Sequence, residues 1–573
     1  MLMKKILTFI IFILYVWPLM AQSPAKYWVE FTDKKNSVYS VSQPEKFLSP
    51  RAIENRARYN IAINEQDLPV NQHYIDMVKA LDDSLIVFTK SKWLNGITVY
   101  SQKDSMKEKI QNLSCVKFCE RTIAMENPEE PFSGRYTYTP AGSPVIPATT
   151  PFEELQYGKG EEQIRLNNVH WLHRLGYKGE GMVMMIMDGG FHNVDSIRHF
   201  DILRKNNRLL GARNFVQPAQ SPFRKESHGT MVLSCIASDI PGELVGSAPN
   251  VMVYVAKTED GRSENVIEED NWVAGIEWAD SLGCGVLNSS LGYTRFDDTL
   301  QRRNYRSLNG ITSRASRAAT IAAGKGMIVC NSAGNEGRGG WRYIGSPADA
   351  RDILAVGAVD KKGKKANFSS FGPTADGRIK PDACAVGFLT DVASPGGRTV
   401  RANGTSFASP LLSGMVACLW QAFPNIDNME VMDAIRKSGN QASHPDDSLG
   451  YGITDFLKAY NLLNESQSVK GQQKLDVTFA SYVSQGVPAD IKIKADQEIP
   501  VTITAQLRGT QKPVSKNVKL KAGEQTISVK LPKLAKSEKY GIVDLKVTGN
   551  NIDRTYVMGL EHKAKIKKDK DKK

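Results

Sequence analysis

The chain has 573 residues, of which 41% are hydrophobic and 24% are charged, a composition typical of a soluble globular protein. At roughly 100–200 residues per domain, this length predicts several domains. The formal net charge of +13 is partly concentrated in the last twelve residues, which hold seven lysines and two aspartates. The charge that remains over the folded units is too dispersed for a nucleic-acid footprint, so we expect no nucleic-acid partner.

The first 21 residues have the pattern of a secretory signal peptide. Lys4 and Lys5 precede the apolar run Ile6–Val16, which is too short to cross a bilayer as a helix, and Ala21 precedes a plausible cut at Gln22. An uncleaved membrane anchor is the alternative. No later stretch is long and apolar enough to span, so we expect a secreted or cell-envelope protein with no transmembrane segment after signal cleavage.

The rest of the chain divides by pattern into five parts. Residues 22–126 alternate short strands and helices, which predicts a small α+β domain. Residues 127–154 are predicted to be a linker, because Asn127–Pro151 carries six prolines in 25 residues. Residues 155–465 alternate apolar strands with helices, which predicts a doubly wound parallel sheet of the α/β class. Residues 470–561 predict an antiparallel all-β sandwich, and residues 562–573 a basic disordered tail.

The seven cysteines do not suggest a disulfide framework. Their odd number leaves at least one unpaired. Cys115 and Cys119 lie four residues apart on a predicted strand, about 13 Å, which is beyond disulfide reach. We therefore expect buried free thiols.

Four short segments of the 155–465 region carry the residue types of nucleophilic catalysis. Asp188 ends an apolar strand and precedes two glycines, at the carboxyl end of a strand where α/β active sites lie. His228 opens an apolar helix and is followed by Gly-Thr. Ser406 lies in Gly-Thr-Ser-Phe-Ala-Ser-Pro at the start of a second apolar helix, where N–H groups can bind an oxyanion. Asn335 follows another strand, and its amide could donate to the same oxyanion. Taken singly, each has an ordinary structural explanation as a cap, a turn or a surface residue.

Together these segments resemble the subtilisin family of serine peptidases. The chain order Asp, His, Ser is that of the family, and the resemblance covers about residues 155–463. One departure is Gly189, where the family usually has Ser or Thr; it removes a hydroxyl partner for Asp188. The resemblance implies that Ser406 is the nucleophile, His228 the general base, Asp188 its partner, and Asn335 part of the oxyanion hole. It also implies substrate-binding segments at Ser290, Leu291, Gly292, Ser332, Ala333 and Gly334.

By position and size, the first domain resembles the inhibitory propeptides that precede subtilase domains. This implies polypeptide substrates, an intramolecular inhibitor, and a maturation cut within Asn127–Pro151 or shortly after it. A permanent accessory domain is the alternative. The chemistry requires no cofactor. A structural calcium ion would suit the family, although the sequence offers no assignable ligand loop and we predict no metal-ligating residues.

Two further clusters have ordinary interpretations. The acidic stretch around Glu259, Glu264 and Glu268–Asp270 could favour basic substrates, but we expect it to be solvated. His170 and His173 are spaced for a metal pair, but we expect them on a helix surface.

The main function hypothesis is a serine endopeptidase. The alternatives are a catalytically inactive subtilase-fold binding protein, which the intact Asp188, His228, Asn335 and Ser406 disfavour, and a dedicated processing peptidase or exopeptidase.

Overall fold

In the computed structural model, the described residues are 24–103, 105–124, 134–468 and 472–562. The predicted signal peptide and the predicted basic tail, apart from His562, lie outside them. Within the described ranges, no helix combines the length and the apolar character needed to cross a membrane.

The first domain is an antiparallel sheet with helices packed on it. Its strands follow the order β2-β3-β1-β4 in the sheet, and its apolar side chains form a separate core. Helix α1 begins after Ser49, whose hydroxyl accepts from the backbone N–H of Ala52, and α2 begins after Asn71 in the same way. The elements are β1 (Ala25–Phe31), α1 (Pro50–Arg58), α2 (Gln72–Lys79), β2 (Ile86–Ser91), β3 (Gly96–Ser101), α3 (Met106–Gln111) and β4 (Val116–Ala124).

The central domain begins with elements that build one half of a parallel sheet. They are α4 (Glu161–Arg165), α5 (Val169–Leu175), β5 (Val183–Asp188), α6 (Asp201–Lys205), β6 (Leu209–Asn214), α7 (His228–Ala237), β7 (Asp239–Ile240), β8 (Leu244–Val245), β9 (Met252–Lys257) and α8 (Ile267–Leu282). The other half follows with β10 (Val286–Ser289), α9 (Arg314–Gly324), β11 (Ile328–Ser332), β12 (Leu354–Val359), β13 (Ala383–Val386), β14 (Thr390–Ala393), β15 (Thr399–Ala402), α10 (Thr405–Ala422), α11 (Asn428–Ser438) and α12 (Phe456–Ser468).

The parallel sheet has the strand order β13-β12-β11-β10-β5-β9-β6, with β5 in the interior. Its strands are buried on both faces because helices cover both, which explains their continuous apolar sequences. Helix α10 packs across β10 to β13 on one face and is buried from Thr405 to Trp420, whereas α8 and α9 pack together on the other. The carboxyl ends of β5, β10 and β11 therefore open beside the start of α10.

The last domain is the predicted β-sandwich, with one difference in pairing. Its two sheets have the orders β16-β18-β21 and β17-β23-β22-β19-β20. Strand β17 pairs with β23 in parallel, whereas the sequence predicts a purely antiparallel domain. The strands are β16 (Leu475–Thr478), β17 (Tyr482–Ser484), β18 (Ala489–Ala495), β19 (Ile499–Leu507), β20 (Val514–Leu520), β21 (Gly523–Val529), β22 (Tyr540–Gly549) and β23 (Ile552–Glu561).

The sandwich is docked on α5 and α12 of the central domain. Trp171 is buried against Gly559, where an added Cβ would lie 2.4 Å from the indole ring. The amide of Asn461 exchanges two hydrogen bonds with the backbone of Val557, at 2.7 and 2.8 Å. The amide thus satisfies backbone groups of β23 that a neighbouring strand would otherwise pair.

The structure corrects the expectation for two histidines of α5. His170 and His173 are buried, not on a helix surface, with 8% and 1% of their area exposed. His173 bonds through Nδ1 to the Tyr157 hydroxyl at 2.7 Å and through Nε2 to the Ser247 carbonyl at 3.0 Å. Burial lowers the pKa of His173 to about 4, so the ring is neutral. The cysteines of the described residues are free and buried, as expected.

Candidate active site

Asp188 is the last residue of β5 and is completely buried. Its Oδ1 accepts hydrogen bonds from Nδ1 of His228 at 2.8 Å and from the backbone N–H of Gly189 at 2.7 Å. Among the described residues, nothing bonds to its other oxygen, Oδ2. Since Gly189 has no hydroxyl to offer, the carboxylate is directed to His228 with few competing partners.

His228 reaches Asp188 because the residue after it is glycine. A Cβ on Gly229 would lie 2.6 Å from the carbonyl oxygen of Gly190 and 2.9 Å from Cβ of Asp188. Such distances are too short for any larger residue, so only glycine lets the start of α7 approach the end of β5 this closely. The motif His-Gly-Thr therefore has a packing reason as well as a chemical one.

The charge state of His228 is set by two opposing effects. Burial lowers the pKa of the imidazole, whereas the charge of Asp188 and its hydrogen bond raise it, and the result is a pKa above the usual 6.5. The side chain keeps 39% of its surface exposed. His228 is therefore an accessible base that Asp188 makes stronger than a free imidazole.

Ser406 lies in the first turn of α10, close to the histidine. The Phe407 ring that follows it is 5.7 Å from the His228 ring, centroid to centroid. In this structure Oγ of Ser406 donates to the carbonyl of Ser290 at 3.4 Å, a long hydrogen bond. Hydrogen bonds of catalytic groups are often long or poorly aligned without substrate, so this geometry is compatible with Ser406 as the predicted nucleophile.

Asn335 is oriented by the residue that precedes the serine. Its Oδ1 accepts from the backbone N–H of Thr405 at 2.9 Å and from the Thr405 hydroxyl at 3.1 Å. The amide oxygen is thus engaged toward α10, and the NH₂ group is left to donate toward the exposed side. Gly334 precedes it with φ +111°, and a Cβ there would lie 2.9 Å from the Ser370 hydroxyl. Glycine is required for both reasons.

The predicted substrate-binding segments follow the two neighbouring strands β10 and β11. Ser290 is buried and its hydroxyl donates to the carbonyl of Ser406 at 2.8 Å. Asn331 donates from its amide to the carbonyl of Leu291 at 3.1 Å, and Gly292 is exposed. Ser332 and Ala333 are buried, with Gly334 half-buried. The structure thus brings Ser290–Gly292 and Ser332–Gly334 to the start of α10, where Ser290 bonds to Ser406 and the N–H of Gly334 donates to the Thr405 hydroxyl.

The acidic stretch is largely buried, so the expectation of a solvated stretch was wrong for its second part. Glu268, Glu269 and Asp270 expose 2% or less. Asp270 bonds to Arg314 and Thr98 at 2.6 and 2.9 Å. These acids lie at the start of the 16-residue helix α8, most of which is buried. The apolar residues of α8 from Trp272 onward are the sequence signal that could have revealed the burial of the acids.

Glu259 lies beside Gly189, and sequence reasoning did not separate it from the rest of the acidic stretch. Its Oε1 accepts from the Tyr293 hydroxyl at 2.7 Å and the Thr258 hydroxyl at 2.9 Å. Burial raises the pKa of this carboxyl to about 8, so it is mostly neutral at neutral pH. In the described part of the chain, no group of three or more His, Cys, Asp or Glu side chains is arranged to hold a metal ion.

Two family profiles match separate parts of the chain. The profile described as the subtilase family matches residues 179–452, and that described as a peptidase S8 propeptide domain of Bacteroidota matches residues 26–133. Subtilisin of Bacillus pumilus is 30% identical over 287 residues, covering 49% of this chain and 90% of that protein. Subtilisin E of Bacillus subtilis is 30% identical over 287 residues, covering 49% of this chain and 65% of that protein.

Further similarities have a lower sequence identity. The thermostable alkaline protease of Halalkalibacterium halodurans is 28% identical over 279 residues, which cover 48% of this chain and 67% of that protein. The chain thus spans about two thirds of the length of this protein and of subtilisin E. Among solved structures, MycP1 with its N-terminal propeptide removed aligns at a TM-score of 0.41 with 21% identity, over 53% of this chain and 96% of that one.

The position of Asn335 predicts a selective effect on turnover. Asn335→Ala should lower kcat by about 10²–10³-fold and leave KM nearly unchanged, because an oxyanion donor acts in the transition state only. Steady-state kinetics on a peptide substrate measure both constants. The exposed Asn367 is the matched control, and Asn367→Ala should change neither. A loss confined to KM would mean that Asn335 binds the substrate instead.

Proposed function

Since the chain belongs to the subtilase family of serine peptidases, we propose that it is a secreted or cell-envelope endopeptidase that uses Asp188, His228 and Ser406. The observation that carries the proposal is the 2.8 Å hydrogen bond between Asp188 and His228, made beside the helix start that bears Ser406. The signal-like N-terminal pattern supports export. The side chains supply nucleophile, base and counter-charge, so we propose that the chemistry needs no cofactor.

The proposed reaction is peptide-bond hydrolysis in two steps. Oγ of Ser406 attacks the carbonyl carbon while Nε2 of His228 takes its proton, and the imidazolium then protonates the leaving amine, which leaves an acyl-enzyme. In the second step water attacks the acyl carbon and gives a proton to His228. The imidazolium returns that proton to Oγ of Ser406 as the acyl C–O bond breaks, which releases the carboxylic acid and regenerates the enzyme. Asp188 holds the tautomer of His228 and stabilises its cation in both steps.

Substrate contacts in the proposal come from the segments around Ser406. The Asn335 amide and the backbone N–H of Ser406 donate to the oxyanion. The backbone of Ser290–Gly292 pairs with an extended substrate as an added strand, and Ser332–Gly334 form the opposite wall, where the small residues leave room for a substrate side chain.

The proposal includes the first domain as an intramolecular inhibitor. Its sheet lies on α8 and α9, where Trp28 and Trp93 join the core of the central domain. The carboxylate of Glu277 accepts from the Ser91 hydroxyl at 2.5 Å and from the backbone N–H groups of Lys92 and Trp93 at 2.6 and 3.1 Å. This carboxylate therefore satisfies the polar groups of the turn after β2.

Charge pairs reinforce the same interface. Asp280 on α8 bonds to Nζ of Lys92 at 2.7 Å and to Arg56 at 2.6 Å. Arg314 on α9 bonds to Glu120 of β4 at 2.8 Å. Lys92, Arg56 and Asp280 are each buried, so loss of one partner leaves a charge unpaired in an apolar environment. These pairs consequently favour tight binding between the first domain and the central domain. After the chain is cut, the same contacts can keep the first domain bound as an inhibitor.

Ser406→Ala tests the nucleophile. It should lower kcat by about 10⁴–10⁶-fold with near-normal folding, because the hydroxyl makes the covalent bond. The assay uses a peptide blocked at both ends, which an exopeptidase cannot trim. A fluorophosphonate should label the wild type and not the variant, while Ser409→Ala, whose hydroxyl bonds to Asn288 away from the cleft, should still be labelled. Equal labelling of wild type and Ser406→Ala would contradict the assignment.

The inhibitor role predicts both processing and inhibition. Purified wild type should have a new N-terminus between residues 127 and 161, whereas Ser406→Ala should keep the first domain because the cut is autocatalytic. Residues 22–126 added in trans should inhibit the mature enzyme. Lys92→Ala should weaken this inhibition by about 30-fold or more, since it leaves Asp280 with one partner fewer.

The matched control is Lys90→Ala on β2, two residues before Lys92, because Lys90 is exposed and should not affect inhibition. A wild type that remains uncut and fully active would show that the first domain is an accessory domain.

A further inference from the structure

The segment between the two domains is attached to the peptidase domain at three points. The backbone N–H of Tyr136 donates to the carbonyl of Pro218 at 2.7 Å, that of Val145 to Asn206 at 2.8 Å, and that of Phe152 to Arg174 at 2.7 Å. It also lies directly on the end of α5, because a Cβ on Gly176 would be 2.6 Å from a methyl group of Thr149. Residues 134–152, called the strap below, therefore follow the surface of the peptidase domain.

Two tyrosines make the side-chain contact of the strap. The rings of Tyr136 and Tyr138 meet the ring of Phe223 edge to face, with centroid distances of 6.4 and 5.6 Å. Phe223 is completely buried, while the tyrosines are half-buried and Thr137 between them is exposed. Burial accordingly raises the pKa of Tyr138. Apolar and edge-to-face contacts of this kind stabilise both partners.

Phe223 belongs to the loop that leads into the catalytic histidine. Within this loop the carbonyl of Pro222 accepts from the N–H of Phe191 at 2.9 Å, and that of Phe223 accepts from Asn193 at 3.2 Å. Residues 191–193 follow directly on Asp188-Gly189-Gly190. The loop is thus bonded to the segment after Asp188, and it ends at His228. A contact with Phe223 can therefore influence the positions of both Asp188 and His228.

We infer that the strap stays with the mature peptidase and positions the His228 loop through Tyr136 and Tyr138, so that the maturation cut lies before Tyr136. This rests on the proposed function, because it assumes that the precursor is cut. The cut hydrolyses one peptide bond with one water, which leaves a carboxylate on the first domain and an amino group on the strap. The propeptide profile ends at residue 133, three residues before Tyr136.

The first arm of the test is the N-terminus of the active wild-type enzyme. Intact-mass and N-terminal analysis of the purified active species should place its first residue before Tyr136. An active species that begins after Phe152, or one from which the strap has been lost, overturns the inference. This arm needs no substitution and leaves the proposed function unaffected, since Ser406 labelling reports on the nucleophile separately.

The second arm asks whether the tyrosines act on the catalytic loop. Tyr136→Ala/Tyr138→Ala should lower kcat by about 10-fold or more on a short blocked peptide, because small displacements of catalytic groups are costly. KM should change little, and Tyr136→Phe/Tyr138→Phe should restore kcat to within about twofold, since the ring contacts remain. Thr137→Ala is the matched control and should behave as wild type.

If the double alanine variant does not fold, each single variant gives the same comparison. The positioning role is overturned if folded alanine variants have the same kcat as Thr137→Ala. It is also overturned if the phenylalanine variants do not restore kcat.

Discussion

The site depends on a buried carboxylate that has one main partner. Asp188 is enclosed at the end of an interior strand, and an isolated charge there would be strongly unfavourable. Its cost is offset by His228 and by the N–H of Gly189. This pairing requires the start of α7 to lie against the end of β5. Only glycine at position 229 allows so close an approach, because a Cβ there would clash with Gly190 and Asp188. The raised pKa of His228, and hence its strength as a base, follows from the same contact.

A similar use of buried acids holds the first domain in place. Glu277 and Asp280 lie on α8 and are buried because that domain covers them. In the proposed mature enzyme, from which the first domain has been removed, both carboxylates would face water, where ionised groups are well solvated. The carboxylates on this face of α8 are therefore satisfied in both states. In the precursor they accept hydrogen bonds from the first domain, and in the proposed mature enzyme water would hydrate them. The same interface also buries Trp28 and Trp93 in the apolar core of the central domain, so charged and apolar contacts act together.

The sequence is most informative where the local pattern of residues is enough to indicate the structure that forms. The buried strands of the central sheet and the segments around Asp188, His228, Asn335 and Ser406 are short, apolar or glycine-rich, and their context is local. Burial of His170, in contrast, depends on the sandwich, which packs on α5 from more than 300 residues away. Similarly, Glu268–Asp270 look like any solvated acidic stretch until α9 supplies Arg314. Partners distant in the sequence decide such cases, and the polar side chains themselves do not reveal them.

The pH dependence of kcat/KM in wild type and Asp188→Asn tests the account most directly, because it reports the base in the free enzyme. Below its pKa, His228 is protonated and cannot accept the proton of Ser406. The acid limb of the wild type should therefore have an apparent pKa above 6.5. In Asp188→Asn the limb should move to lower pH, because the carboxylate that raises the pKa is gone, and kcat should fall by about 10⁴-fold. An unchanged limb and an unchanged kcat would contradict the central role of the pair.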